Sequence, residues 1–167
     1  MDNDAAYWIE KLKLEPHPEG GYYRSTFQSD TLITTETNEK RHLYTSIYFL
    51  LREGDLSHFH RLKSDELWYY HAGSPLEIHM IHQDGSYQCV KLGVNLDNGE
   101  VPQLMVPKHT IFGSVAEENA PFSLVGCMVS PGFDFKDFEL FDQAELLDLY
   151  PQHEAIIRKL AYAKKPN

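Results

Sequence analysis

Cysteine is scarce in this chain: Cys89 and Cys127 are the only two in 167 residues, and they stand far apart, outside any CxxC pair. That excludes a disulfide framework and a cysteine-built zinc knuckle, and leaves two buried, reduced thiols as the expectation. Long apolar runs are missing too, with no segment near the length of 18 apolar residues at which a membrane helix is suspected. The opening MDNDAAYWIEKLKL lacks a basic region followed by an apolar stretch and a small-residue cleavage site, so the expected location is the cytoplasm. Basic residues are outnumbered, 15 against 25 acidic ones, for a formal net charge of -10, and only the short AKKPN tail clusters positive charge. Such a chain repels phosphate backbones and anionic lipid, so neither nucleic acid nor a membrane surface is an expected partner. No GxSxG, P-loop, HExxH or strand-linked GxGxxG pattern occurs. Hydrolase, kinase, zincin and Rossmann readings therefore lack their residues.

What is present suffices for one globular domain over residues 1–167, with 42% hydrophobic and 24% charged residues. A first helix is expected over about 4–13: Asp4 caps it, Trp8, Ile9 and Leu12 share a face, and Pro16 and Pro18 end the pattern. The body, about 20–140, is strand-rich. HLYTSIYFLL (42–51), ELWYYHA (66–72), LEIHMIH (76–82), SYQCVKL (86–92), QLMVP (103–107) and FSLVGCMVS (122–130) combine β-branched and aromatic residues between turn signals. Asp84-Gly85 predicts a type I′ hairpin between two of these runs. Helices are expected over about 142–163, where Asp142 and Glu145 match a capping box, Pro151 interrupts, and Ile156, Ile157 and Leu160 share a side. Many short strands between terminal helices predict an all-β sandwich or barrel. Phe133, Phe135, Phe138 and Phe141, after a Pro-Gly turn, supply apolar area for the core or for a dimer.

The stretch GDLSHFHRLKSDELWYYHAG (54–73) carries the sharpest chemical signal. On a regular strand, residues two apart share a face, so His58 and His60 project together and Glu66 meets them from the next strand. Two imidazoles and a carboxylate on a triangle suit Fe, Mn or Zn with open positions for substrate. The bland alternative is a chance HxH, since the chain has 9 histidines. Alternation along ELWYYH sets Glu66, Trp68 and Tyr70 on one face, and it likewise turns Tyr22 and Tyr23 to opposite sides, with Tyr23 in phase with Ser25. In PHPEGGYYRST (16–26), Gly20-Gly21 permits a bulge or close ligand approach, with Glu19 and Arg24 as contacts; an edge strand with a turn is the alternative. Cys127, mid-strand among apolar neighbours, is expected to be inert.

Gly54, His58, His60, Glu66 and Gly73 resemble the first conserved motif of the cupin superfamily, although three residues replace the usual five before the first histidine and five replace the usual three or four before the glutamate. The second motif aligns on Pro107, where His109 takes the place of glycine, Phe112 that of the third metal-binding histidine and Ala116 that of asparagine. The resemblance implies a double-stranded β-helix, the jelly roll, with flanking N- and C-terminal helices, and a metal cage that lacks one ligand. Over most of its length, through PHPEGGYYRST, HRLKSDELWYYHAGSPL and VGCMVSPGFDFKDFEL, the chain further resembles a cupin-like family of bacteria and fungi whose role is unassigned.

The resemblance implies a small-molecule-binding cupin whose ligand is polar, carbohydrate-like or phosphorylated, held in the barrel. Through the dTDP-sugar epimerases, also jelly rolls, it implies an enzyme alternative: His60 as base with Asp65 as its carboxylate and Tyr23 or Tyr70 as acid. Asp65 is otherwise a turn residue in LKSDE. Metal-free isomerase or epimerase chemistry is preferred to a metal-dependent oxygenase at His58, His60 and Glu66, and no cofactor is expected beyond such a divalent ion. Glu19, Arg24, Glu66, Trp68, His79 and His109 are the candidate ligand contacts. Exposed jelly-roll edges make a homodimer the expected assembly.

Overall fold

Two short apolar patterns at the ends of the chain and a long alternating one between them account for the architecture of the computed structural model, which describes residues 3–167. Asp4 accepts a hydrogen bond from the Tyr7 amide at 2.8 Å and starts α1 (Ala5–Leu12), which ends where Lys13 turns left-handed. Strands follow: β1 (Glu15–Pro16), β2 (Tyr22–Gln28), β3 (Leu32–Thr34), β4 (Lys40–His42), β5 (Thr45–Arg52), β6 (Leu56–Arg61) and β7 (Asp65–Gly73). The second half adds β8 (Leu76–Ile81), β9 (Tyr87–Leu92), β10 (Gln103–Val106), β11 (Ile111–Ala116), β12 (Phe122–Ser130) and β13 (Glu139–Leu140), then α2 (Gln143–Leu149) and α3 (Glu154–Leu160).

One antiparallel sheet has the order β1-β2-β5-β12-β7-β10 and the other β13-β6-β11-β8-β9, with β3 and β4 forming a separate hairpin. Phe49, Leu51, Trp68 and Val125 of the first sheet meet Leu76, Ile78, Met80 and Phe112 of the second, which makes the interior of a β-sandwich of jelly-roll type. Each sheet buries its outer face separately. Trp8, Ile9 and Leu12 of α1 pack on Leu50, Phe122 and Leu124. Leu146 of α2 and Ile157 and Leu160 of α3 close over Phe59, Ile111 and Phe141. Each such side chain contributes about 1.5–3 kcal/mol on burial. The capping box at the start of α2 is complete, with Asp142 and Glu145 each accepting from the other's backbone N–H. No helix among the described residues is long and apolar enough to cross a membrane.

Several expectations need correction. The hairpin after β8 has Ile81 opposite Tyr87, and only Gly85 is left-handed (φ 83°), so it is a longer loop in which Asp84 accepts from the Ser86 amide, not a two-residue type I′ turn. The run 42–51 splits, because His42 ends β4 while Thr45 begins β5. Strand β11 escaped the pattern because Gly113 and Ser114 dilute it. A β-carbon at Gly113 would lie 2.7 Å from the Ser57 carbonyl oxygen, so the close approach of β6 demands glycine there. Cys127 is buried, but Cys89 is exposed.

Candidate functional site

A cavity of about 360 Å³ opens into the sandwich between β2, β5, β6 and the segment after β12. Its polar floor is His17, Glu19, His60 and Glu66, with Cys127 beside them; Tyr23 and Ser25 line one side and Phe133, Phe135 and Phe138 the other. No lysine or arginine lines it among the described residues.

The loop PHPEGG delivers half of that floor. The His17 amide donates to the Gly21 carbonyl at 2.8 Å and the Gly20 amide to the His17 carbonyl at 3.1 Å, a turn that requires positive φ at Gly20 (111°) and Gly21 (75°). A β-carbon on Gly20 would collide with the Leu56 carbonyl. Only glycine lets the loop sit this close to β6. The Glu19 carbonyl is then held twice by His58, by its amide at 3.2 Å and its ring Nδ1 at 2.9 Å. With its backbone pinned, Glu19 turns its carboxylate inward, 8% exposed.

The carboxylate lies between two imidazoles, neither of which spends its proton on it. Glu19 Oε1 is 3.7 Å from His17 Nδ1, but that nitrogen accepts from the Glu19 amide at 3.1 Å. Oε2 is 3.3 Å from His60 Nδ1, whose proton goes to the His58 carbonyl at 2.7 Å. A carbonyl can only accept, so His60 carries its proton on Nδ1 and keeps the lone pair on Nε2. Glu19 Oε2 is buried with no hydrogen-bond partner among the described residues.

Burial separates the protonation states of these groups. It pushes the Glu19 carboxyl up to about 6, and the Glu66 carboxyl up to about 8 with the Glu19 charge adding to it. It holds His60 down to about 4 and His17 below its ordinary value. Near neutral pH the floor therefore combines one carboxylate, one carboxylic acid and two neutral imidazoles. That is the separation general acid–base chemistry uses. The Cys127 thiol is raised far above its ordinary value by burial and by the neighbouring Glu66, which makes it inert as expected.

His58 does not join His60. Ser57 pairs with Ser114 and His60 with Phe112, so three steps along β6 match two along β11, and the extra residue is a β-bulge. The alternation breaks there, and the His58 ring stacks on Tyr162 with centroids 3.7 Å apart. The donor atoms of His58, His60 and Glu66 do not come within 4.8 Å of one another, unlike those of the one three-ligand cluster found among the described residues. Phe112 meanwhile packs on the His60 ring at 4.2 Å, where a further ligand would be needed. These residues do not fit the metal cage of the superfamily.

Other candidates separate in the same way. Asp65 is exposed and accepts from the Lys108 amide at 2.8 Å, so the expected His60–Asp65 dyad does not form; the carboxylate beside His60 is Glu19. Tyr23 lines the cavity in phase with Ser25, whereas Tyr22 packs towards α1. Tyr70 shares the inner face of β7 as expected, but its hydroxyl donates to the Gly73 carbonyl at 2.6 Å, away from the floor. Arg24 points outward and donates to the Leu12 carbonyl at 3.1 Å. Trp68 is core, edge-on to Phe49 and Phe112, and does not line the cavity. His79 lies on the far face of the second sheet, and His109 occupies a left-handed turn outside the sandwich. His17 was not among the expected residues. The Gly-Gly pair three residues after it was the available signal, since two left-handed residues fold the loop back and carry His17 inward.

The chain belongs to the cupin superfamily, in the family of unknown function DUF985, whose profile matches residues 6–141. It is similar to a solved protein of Shewanella oneidensis (52% identity, TM-score 0.88, covering 99% of each chain) and to a hypothetical protein of Leishmania major (47% identity, TM-score 0.91, covering 96% of this chain and 99% of that one). It is also 29% identical over 143 residues to an uncharacterized protein of Saccharomyces cerevisiae, a match spanning 77% of this chain and 71% of that one.

Proposed function

We propose that the cavity binds a small, uncharged, polyhydroxylated carbonyl compound and moves a proton on it, as an isomerase or epimerase of carbohydrate-like molecules. The observation that carries this reading is the buried Glu19 carboxylate, whose Oε2 has no hydrogen-bond partner among the described residues and lies 3.3 Å from the Nδ1 of His60, a histidine whose opposite nitrogen makes no hydrogen bond among them. His60 Nε2 takes a proton from carbon, and the Glu19 charge at Nδ1 stabilises the imidazolium formed. Glu66, protonated at neutral pH, donates to the oxygen on which charge develops, and Tyr23 is the second acid within the same walls. The aromatic wall suits the apolar faces of a sugar-like ring or chain. The phosphorylated half of the ligand expectation loses support, because a cavity bearing one negative charge and no cation repels phosphate.

The test is proton exchange. Unphosphorylated aldoses and ketoses are incubated with the protein in D2O and followed by NMR. Deuterium incorporation next to the carbonyl is expected for one class of compound, reduced at least ~100-fold in His60→Gln and Glu19→Gln, in line with the rates lost with a general base. Saturable binding without exchange in any compound would reduce the protein to a binding module, and absence of both would sink the reading. A homodimer belongs to the same proposal: Phe27 and Phe135, at the cavity mouth, are 70% and 58% exposed, apolar area that a second copy would cover.

A further inference from the structure

On the face of the second sheet turned away from the cavity, β8 and β9 run antiparallel with His79 opposite Cys89 and Glu77 opposite Lys91. The inner face of β8 is spent on Leu76, Ile78 and Met80, so this outer cluster is separate from the proton-transfer floor. His79 Nε2 lies 3.0 Å from Glu77 Oε2 and 4.0 Å from Cys89 Sγ, and all three donor atoms are within 4.8 Å of one another. A tetrahedral ion held by nitrogen, oxygen and sulfur at ordinary bond lengths sets its ligand atoms roughly 3.3–3.6 Å apart, a spacing that the two measured separations bracket. The other ring nitrogen, Nδ1, is 2.6 Å from the Tyr87 hydroxyl. Histidine ligands commonly have their second nitrogen oriented by such a partner. His79 is buried while Cys89 is exposed, so the ring is fixed and an ion can enter from the thiol side.

We propose that Glu77, His79 and Cys89 form a zinc site, with water in the fourth position. In the free protein the short Nε2 to Glu77 distance places the ring proton on Nε2, with the Tyr87 hydroxyl donating to Nδ1. Zinc binding moves that proton to Nδ1, which then donates to the Tyr87 oxygen, and Nε2 bonds the metal. The Cys89 thiol loses its proton to solvent as the Zn–S bond forms, while Glu77 binds through a carboxylate oxygen. One proton is released per ion, and no redox change occurs. The competing reading is a plain His79–Glu77 hydrogen bond with Cys89 as a bystander. It differs in one observable, sulfur ligation.

Cobalt(II), which takes zinc sites and reports thiolate ligation through a near-ultraviolet charge-transfer band, is titrated into the untagged chain. The expected result is one equivalent bound with the thiolate band, displaced by zinc. The band is expected to disappear in Cys89→Ser and in His79→Gln, each shown folded by circular dichroism, and to persist in Cys127→Ser. Tyr87→Phe, which touches no metal, should weaken zinc binding by about tenfold or more while keeping the band. Absence of the band, its survival in folded Cys89→Ser, or its loss in Cys127→Ser instead would each overturn the proposal.

Discussion

Glu66 holds its proton at neutral pH because it is buried beside Glu19, and that proton has a consequence for stability. In the unfolded chain the same carboxyl is ionised above its ordinary value of 4.5. Between that value and about 8 the folded state binds the extra proton, so stability falls as pH rises. His60 acts in the opposite sense, since its folded value of about 4 lies below 6.5; its contribution is lost as pH falls through that window and is constant above it. Glu19, raised only to about 6, also finishes most of its change below neutrality. From pH 6.5 to 8 the Glu66 loss runs against the last part of the opposite change from His17, His60, His71 and His79, all held below their ordinary value, so it is read as the difference between the protein and its Glu66→Gln variant. Over that range the unaltered protein should lose about 1–2 kcal/mol relative to Glu66→Gln in denaturant unfolding. An equal slope in both proteins would mean that Glu66 is ionised throughout.

Two elements decide what reaches the floor. The loop before β2 carries Glu19 only because Gly20 and Gly21 are left-handed, and Gly20→Ala should cost about 1–3 kcal/mol from backbone strain alone. The collision with Leu56 adds to this, and ligand binding should fall together with stability as the carboxylate withdraws. A Gly20→Ala protein of unchanged melting temperature would contradict this account. The other element is β6, where legibility stopped. Alternation along β2 and β7 put Tyr23, Glu66, Trp68 and Tyr70 on their inner faces, because those stretches of strand follow period two. Along β6 the same rule failed at one residue. A bulge depends on what β11 offers opposite, a long-range relation invisible in GDLSHFHR itself. Asp65 misled for a similar reason: its neighbour in space is the turn around Lys108, 43 residues away.

At the scale of the molecule, the two sheets and the terminal helices were legible because amphipathic periodicity, caps and turn residues are local. The partner of His60 was not, because Glu19 arrives from 41 positions earlier in the chain. The outer layer is as necessary as the interior. Leu146 is fully buried between α2 and the second sheet, and Leu146→Ala should destabilise the fold by about 2–5 kcal/mol, measured by thermal or urea unfolding. A loss under about 1 kcal/mol would show α2 to be a loosely held appendage.

The bulge in β6 also says something about how proteins of this shape diverge. With one residue more between Phe112 and Ser114 on β11, three steps would match the three of β6, the two histidines would fall back into phase, and HFH would carry the pattern of the superfamily's metal motif. A difference of a single codon in length, leaving both histidines in place, is enough to divide two chemistries. A search that compares letters cannot see it, so chains of this kind are sorted correctly only when strand register is compared along with residue identity.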